Sequence, residues 1–413
     1  MCKEKQIIYL TGIGMGNRNS LTAQAEQIFR ECDCIIGAQR MTDALQSFGK
    51  PVFHSYKPKE IHDFLKSHGE YRKAAVALSG DPGFYSGARK LKEELADYPV
   101  YTIPGISSAV YLAARLGISW EDAALVSIHG RKQNFIYEIA KHEKTFLLFG
   151  GIECAREICE KIRDYGLGET EFYIGKHLSY EEEEILHKRG RELEPQDLDG
   201  LAAAYVRNPS PDKRVCLHME DEEYIRGRVP MTKSEIRAVS LAKLALTEDA
   251  VLYDVGAGTG SVSMEAACQS GSIRVYAIEK NPEGVELIGQ NRRKFCCDQV
   301  QIVLGTAPEA IEALEPPTHV FIGGSFGNLK DILRLVLEKN PDVRIVLNAI
   351  SLETVKEAME ALEEGLLPDA EIVQLSAAKS RKLGAYHMMT GQNPVYIISA
   401  GKRYYSRPMD RAE

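Results

Sequence analysis

Three glycines spaced two apart, Gly256, Gly258 and Gly260, follow the apolar run Val251–Tyr253 and Asp254, and a helix-like pattern begins at Ser261. Strand, glycine turn and helix in that order make a ligand site. Glycine lets the main chain take a positive φ and lets a ligand lie against it, and a helix start offers unpaired N–H groups. The dinucleotide fingerprint needs its third glycine one place later, where this chain has Ser261. A loop of this spacing has no pyrophosphate to cradle, and S-adenosylmethionine suits it better. Glu279 ends the next apolar run, about 20 residues on, where an acid binds a ribose hydroxyl. Asp254 is read as supporting the loop, and Ala307 falls where an adenine edge would lie.

The fourth apolar run of this half ends in Gly323, Gly324 and Ser325. Many amino-methylating enzymes place Asn or Asp before two prolines there, to hold a nitrogen lone pair. Their absence points to methylation at carbon or oxygen, where the substrate supplies its own nucleophile. Lys233 and Arg237 precede the first run, and Lys379, Arg381 and Lys382 follow the sixth. Such cations suit carboxylates, although a solvated face explains any one of them equally well. In the N-terminal half, TGIGMG (11–16), SGDP (79–82) and PGISS (104–108) are three Gly/Pro loops, each after an apolar run. His129 offers a base, with a structural role the simpler reading, and Arg131 a carboxylate partner. The four glutamates at 181–184 read as a solvated run.

These residues need elements to hold them. Apolar strands and helical stretches alternate from residue 7 to 109, which means a mostly parallel sheet with its ligand at the strands' carboxyl ends. From 124 to 220 strands dominate and suggest a second, more antiparallel lobe, closed by a strand pair at 201–208 and 214–220. Residues 219–231 are charged, contain Gly227 and Pro230 and show no apolar period, a linker signature. The expected division is therefore 1–220, a linker at 221–230, and 231–413. The second half has seven strand candidates with helices between the first six. A loop over 380–393 precedes the seventh, which must then return antiparallel. Both halves are α/β.

The formal charge of −8 argues against broad nucleic-acid binding, and 44% hydrophobic residues can bury a large core. None of the nine cysteines forms a C-x-x-C pair, so no metal site is expected and free thiols in a reducing cytoplasm are. No run approaches membrane-spanning length and the first residues carry no apolar leader, so neither a membrane nor a nucleic-acid partner is expected.

The stretches TGIGMGNRNSLT, LSGDPGFYSG, IPGISSA, VSIHGR and GKHLSYEEEEI resemble the tetrapyrrole methylases of corrin synthesis. PMTKSEIRA, YDVGAGTGSVSMEA, YAIEKNP, LGTAPEAI, VFIGGSFGNL and MMTGQNPVYII resemble the decarboxylating precorrin methyltransferases. The resemblance implies a two-lobed tetrapyrrole methylase fold followed by a Rossmann-like, seven-stranded class I methyltransferase fold. It implies methylation of a precorrin or cobalt-precorrin at ring carbons 5 (N-terminal domain) and 15 (C-terminal domain), with loss of the ring C acetate carboxyl at the second. One S-adenosylmethionine is expected per domain. Gly80, Asp81, Ser107 and Ser108 would contact it in the first, near Met15. Thr232, Gly256, Ala257, Gly258, Thr259, Gly260, Glu279 and Ala307 would do so in the second. Arg131, Lys233, Arg237 and Arg381 are the candidate partners of substrate carboxylates, and a homo-oligomer is expected. A second reading is a bifunctional methyltransferase acting on RNA or protein. In a third, the N-terminal half is a degenerate donor-binding module.

Overall fold

The computed structural model describes residues 6–129, 133–215 and 218–404, which form two compact units divided near Pro211–Asp212. In the first unit, β1 (Ile7–Gly12), β2 (Cys34–Gly37), β3 (Val52–His54), β4 (Lys73–Leu78) and β5 (Val100–Ile103) make an all-parallel sheet in the order β3-β2-β4-β1-β5. Leu10 pairs with Val76, and both are buried in the core between sheet and helices. The second sheet holds β6 (Ala124–Ser127), β7 (Lys144–Leu148), β8 (Glu171–Lys176), β9 (Glu184–Arg189) and β10 (Ala202–Arg207), ordered β6-β7-β10-β8-β9. Only its β6–β7 pair is parallel. The helix Ile152–Asp164 belongs here because Ala155, Ile158, Cys159 and Ile162 bury one stripe at helical spacing. The expected closing strand pair does not form, since no described residue of 214–220 is in a strand.

The second unit is a seven-stranded sheet of β11 (Val251–Val255), β12 (Arg274–Glu279), β13 (Val300–Leu304), β14 (His319–Ile322), β15 (Arg344–Ala349), β16 (Glu371–Leu375) and, after a hairpin, β19 (Val395–Ala400). The order is β13-β12-β11-β14-β15-β19-β16, with β19 alone antiparallel. Its central strands are apolar throughout because helices cover both faces. Leu252, Ala277 and Phe321 face one core, while Tyr253, Ile278 and Val320 face the other. Asn281 caps the helix Pro282–Lys294, accepting from the Glu283 N–H, with proline at its first position.

Three expectations are corrected here. The connection from β13 to β14 carries only a 3-10 turn, Glu309–Ile311, since Pro308, Pro316 and Pro317 leave no room for a helix between them. The stretch before β19 is not a loop but a hairpin, β17 (Ala378–Leu383) and β18 (Tyr386–Gly391), joined by Gly384 at φ +62° and Ala385. The linker at 221–230 is no linker. Met219, Asp221 and Tyr224 are buried, and the segment packs on the second unit.

Candidate functional site

In the second unit the carboxyl ends of β11 and β12 meet at the glycine turn. Gly256, Gly258 and Gly260 all take positive φ. A Cβ on Gly256 would stand 2.8 Å from the Gly324 carbonyl oxygen, so the turn after β11 and the loop after β14 touch main chain to main chain. That approach, together with φ +74°, is why residue 256 has to be glycine. A Cβ on Gly258 would strike the Pro230 carbonyl.

Glu279 is buried, and its two carboxylate oxygens accept from the Gly258 N–H at 2.8 Å and the Asn281 N–H at 2.8 Å. Each oxygen keeps a second lone pair, the number two ribose hydroxyls require. Asp254 accepts from the Ser263 N–H at 3.0 Å and the Ser263 hydroxyl at 2.5 Å, which fixes the start of the helix Ser261–Ala267. Burial pushes the Asp254 carboxyl up to about 7, the Glu279 charge adds to this, and the Ser263 hydrogen bonds oppose it. Asp254 Oδ1 and Thr259 Oγ1 are buried with no partner among the described residues. A glycine cradle, a half-used carboxylate and two orphaned oxygens fit a ligand with ribose and amino groups.

Beside the turn lies a cavity of about 10 Å³, lined by Gly256, Ile278, Lys280, Ala307, Gly324 and Phe326 among others. Lys280 Nζ sits 3.3 Å from the centre of the Phe326 ring and bounds this cavity with it. Phe326, Ile350 and Leu352, all following the carboxyl ends of strands, are exposed apolar residues.

The predicted cations separate. Arg237 is 0% exposed. Its Nε donates to Glu265 at 2.7 Å, Nη1 to Asp221 at 3.2 Å and the Thr232 carbonyl at 2.6 Å, and Nη2 to the Met219 carbonyl at 2.5 Å. Its guanidinium lies 4.7 Å from the centre of the Tyr224 ring. The expectation that it meets a substrate carboxylate is therefore corrected, because its donors are spent inside the protein. Lys233 is half exposed, 3.7 Å from Asp221. Lys379 donates to Ser234 at 3.0 Å and pairs with Glu235 at 2.8 Å. Arg381 is exposed on β17, opposite Met388. Arg131 lies outside the described residues.

In the first unit the three loops converge. Gly14 and Gly80 exchange main-chain hydrogen bonds at 3.2 and 2.7 Å, and Asp81 accepts from the Gly83 N–H at 2.7 Å and the Gly105 N–H at 3.0 Å. Asp81 thus serves the site by holding the loops together. Ser107 caps the helix Ser108–Leu116 through the Val110 N–H. Around the loops opens a cleft of about 540 Å³ whose walls include Met15, Gly80, Ser108, His129, Phe149 and Ala203. Arg40, which the sequence did not single out, also lines it and donates to the Tyr180 hydroxyl at 2.7 Å. Glu183 is turned inward rather than solvated. It accepts from the Tyr111 hydroxyl, Arg115 Nε and the Ser179 N–H at 2.6–2.7 Å. Burial alone would raise its pKa, but these three donors hold it below the usual range.

Comparison with known proteins divides the chain in the same way. The family model for tetrapyrrole (corrin/porphyrin) methylases matches residues 7–194, and that for the precorrin methyltransferase domain matches 224–402. A probable cobalt-precorrin-6B C(15)-methyltransferase (decarboxylating) of Pyrobaculum calidifontis is 44% identical over 93% of its own length and 44% of this chain. The cobalt-precorrin-6B C(15)-methyltransferase (decarboxylating) of Salmonella typhimurium is 40% identical over 96% of its length and 45% of this chain. Along nearly the whole chain, 95% of it and 95% of the relative, there is 25% identity to a precorrin-6Y C(5,15)-methyltransferase [decarboxylating] from a Sinorhizobium species. Among the described residues no helix is long and apolar enough to cross a membrane.

Proposed function

We infer the activity from one premise: this chain belongs to the decarboxylating precorrin methyltransferase family, with a tetrapyrrole methylase domain fused ahead of the precorrin methyltransferase domain. It is an S-adenosylmethionine-dependent C-methyltransferase of cobalamin biosynthesis that methylates a precorrin-type ring and decarboxylates it. Our finer reading assigns carbon 5 to residues 1–211 and carbon 15, with loss of the ring C acetate carboxyl, to the unit beginning at Asp212. One donor site is assigned to each unit. The observation that carries the second unit's donor site is Glu279, buried over the positive-φ glycine turn with a lone pair free on each oxygen.

S-adenosylmethionine supplies an already activated methyl group, so the protein has chiefly to align and to exclude water. The glycine turn and Glu279 would hold its ribose side, and Ala307 leaves room for the base. Orientation of this kind is worth roughly 7–11 kcal/mol of barrier. Phe326, Ile350 and Leu352 offer a flat apolar ring a surface at the strands' carboxyl ends. Lys233 and Arg381, with exposed ammonium and guanidinium groups, are the proposed partners of the carboxylates that must be retained. The scissile carboxylate would instead be shielded from water, which favours its loss. No residue is assigned as an acid or base, because the conjugated macrocycle is both carbon nucleophile and electron sink.

Mass analysis of the product from cobalt-loaded and metal-free precorrin substrates tests this reading. Two methyl additions and one loss of carbon dioxide are expected. Equal activity on tRNA or a protein substrate would contradict it.

A further inference from the structure

Residues 219–232, the stretch 219–231 that reads as a linker plus Thr232, are tied to the glycine turn at several independent points. Asn291, 0% exposed, accepts from the Ile225 N–H at 2.8 Å and donates to the Ile225 carbonyl and the Thr259 carbonyl, both at 3.0 Å. The Tyr224 hydroxyl donates to the Ser261 carbonyl at 3.2 Å. The Pro230 carbonyl occupies the space that a side chain on Gly258 would need. The segment therefore touches the turn directly at Gly258 and Ser261, and Asn291 bridges it to Thr259.

Arg237 holds both ends of this segment. One guanidinium reaches the Met219 carbonyl at its start, the Thr232 carbonyl at its end, and Glu265 in the helix that leads out of the turn. Burying a charge that deeply is expensive unless each donor is matched. Here two carboxylates and two carbonyls match it. A packed apolar residue would cost less but would not fix where two chain segments cross. The arrangement has the economy of a clamp.

We propose that residues 219–232 form a fixed strap on the donor turn of the second unit, and that Arg237 is a positioning residue for that turn, acting through the Thr232 carbonyl and Glu265. This rests on reading the turn as the S-adenosylmethionine site. Arg237 does not touch donor or substrate. It sets the position of the Gly258–Ser261 main chain, so its loss is felt as weaker donor binding rather than weaker corrin binding.

The test uses the full chain with Arg237→Gln, Arg237→Lys and the milder Tyr224→Phe and Asn291→Ser. Calorimetry with S-adenosylhomocysteine and amide hydrogen exchange over 219–232 are read on each. For Arg237→Gln, strap exchange is expected to accelerate and the donor Kd of the second unit to rise at least about tenfold, the scale of a lost charge-assisted hydrogen bond. The first unit's Kd and the corrin KM are expected to stay the same, and Arg237→Lys to recover part of the loss. Tyr224→Phe and Asn291→Ser are expected to raise the same Kd by roughly two- to tenfold, as for a single neutral hydrogen bond. They carry the test if Arg237→Gln does not fold. Folded variants whose straps exchange faster while the donor Kd stays put would overturn the proposal. Absence of donor binding to this unit in the unaltered chain is a different result, and it would remove the reading of the turn itself.

Discussion

The two units build their candidate donor sites in opposite ways. In the first, three loops meet through main-chain bonds between Gly14 and Gly80 and through Asp81, around an open cleft of about 540 Å³. In the second, one turn is held by side chains, with Glu279 on Gly258, Asp254 on Ser263 and Asn291 on Thr259, beside a cavity of about 10 Å³. A site made of converging loops needs small residues and backbone contact. One made on a single strand–turn–helix needs buried polar residues from neighbouring elements. The first is vulnerable to any added Cβ at the convergence, the second to loss of particular polar groups.

The largest effect is expected from Gly256→Val. Its side chain would meet the Gly324 main chain at 2.8–2.9 Å from Cβ and would force a β-branched residue to φ +74°. Methylation at carbon 15 and decarboxylation should fall at least about a hundredfold, since the clash and the strain each cost on the order of 1–3 kcal/mol. Methylation at carbon 5 should persist. Loss of both in product mass spectra would show that the sites are not separate.

Glu279→Gln keeps the shape but removes the charge. Donor affinity at the second unit should drop about ten- to a hundredfold, for the 1.5–3 kcal/mol of a hydrogen bond to a charged group. Equilibrium dialysis would check it. Asp81→Ala should loosen the other site by a smaller amount, about 1–3 kcal/mol for two main-chain donors left without their acceptor. Its effect should appear only in the first unit's Kd. An effect on the second unit would blur the contrast between the two.

The last effect is on stability rather than on donor affinity, and it varies with pH. The Asp254 carboxyl is raised to about 7 in the folded chain from an ordinary value of 3.8. Between these limits the unfolded chain releases this proton and the folded chain retains it. Its contribution to stability is therefore fully present below about pH 4 and declines as pH rises to about 7. Asp254→Asn should remove that decline from the second unit's unfolding free energy, measured in urea at pH 4.5 and 7.5. An unchanged difference between the two pH values would contradict the assignment.

What was legible in the sequence was local. Gly256, Gly258, Gly260 and Glu279 announce themselves because spacing along one strand–turn–helix fixes their geometry. The seven strands, with the last one reversed, followed from counting apolar runs and the connections between them. Gly384-Ala385 between two short runs was also a readable hairpin signal, and a loop reading passed over it. Arg237 was misread because charge and nearness to the turn suggest a ligand, whereas its partners Asp221 and Glu265 lie 16 and 28 residues away and meet it only on folding. Much the same holds for Glu183, two of whose three partners, Tyr111 and Arg115, come from a helix 72 and 68 residues away. The strap escaped notice because its anchors, Met219, Asp221 and Tyr224, have no period; they are held by contacts to Arg237, Ser261 and Glu265 that form only on folding rather than by a stripe.

The most direct measurement is a calorimetric count of S-adenosylhomocysteine sites on the full chain and on Gly256→Val. Two sites per chain, falling to one in the variant with the remaining Kd unchanged, is the predicted result. A single site in the unaltered chain, or two in the variant, would contradict the account of two separate donor stations.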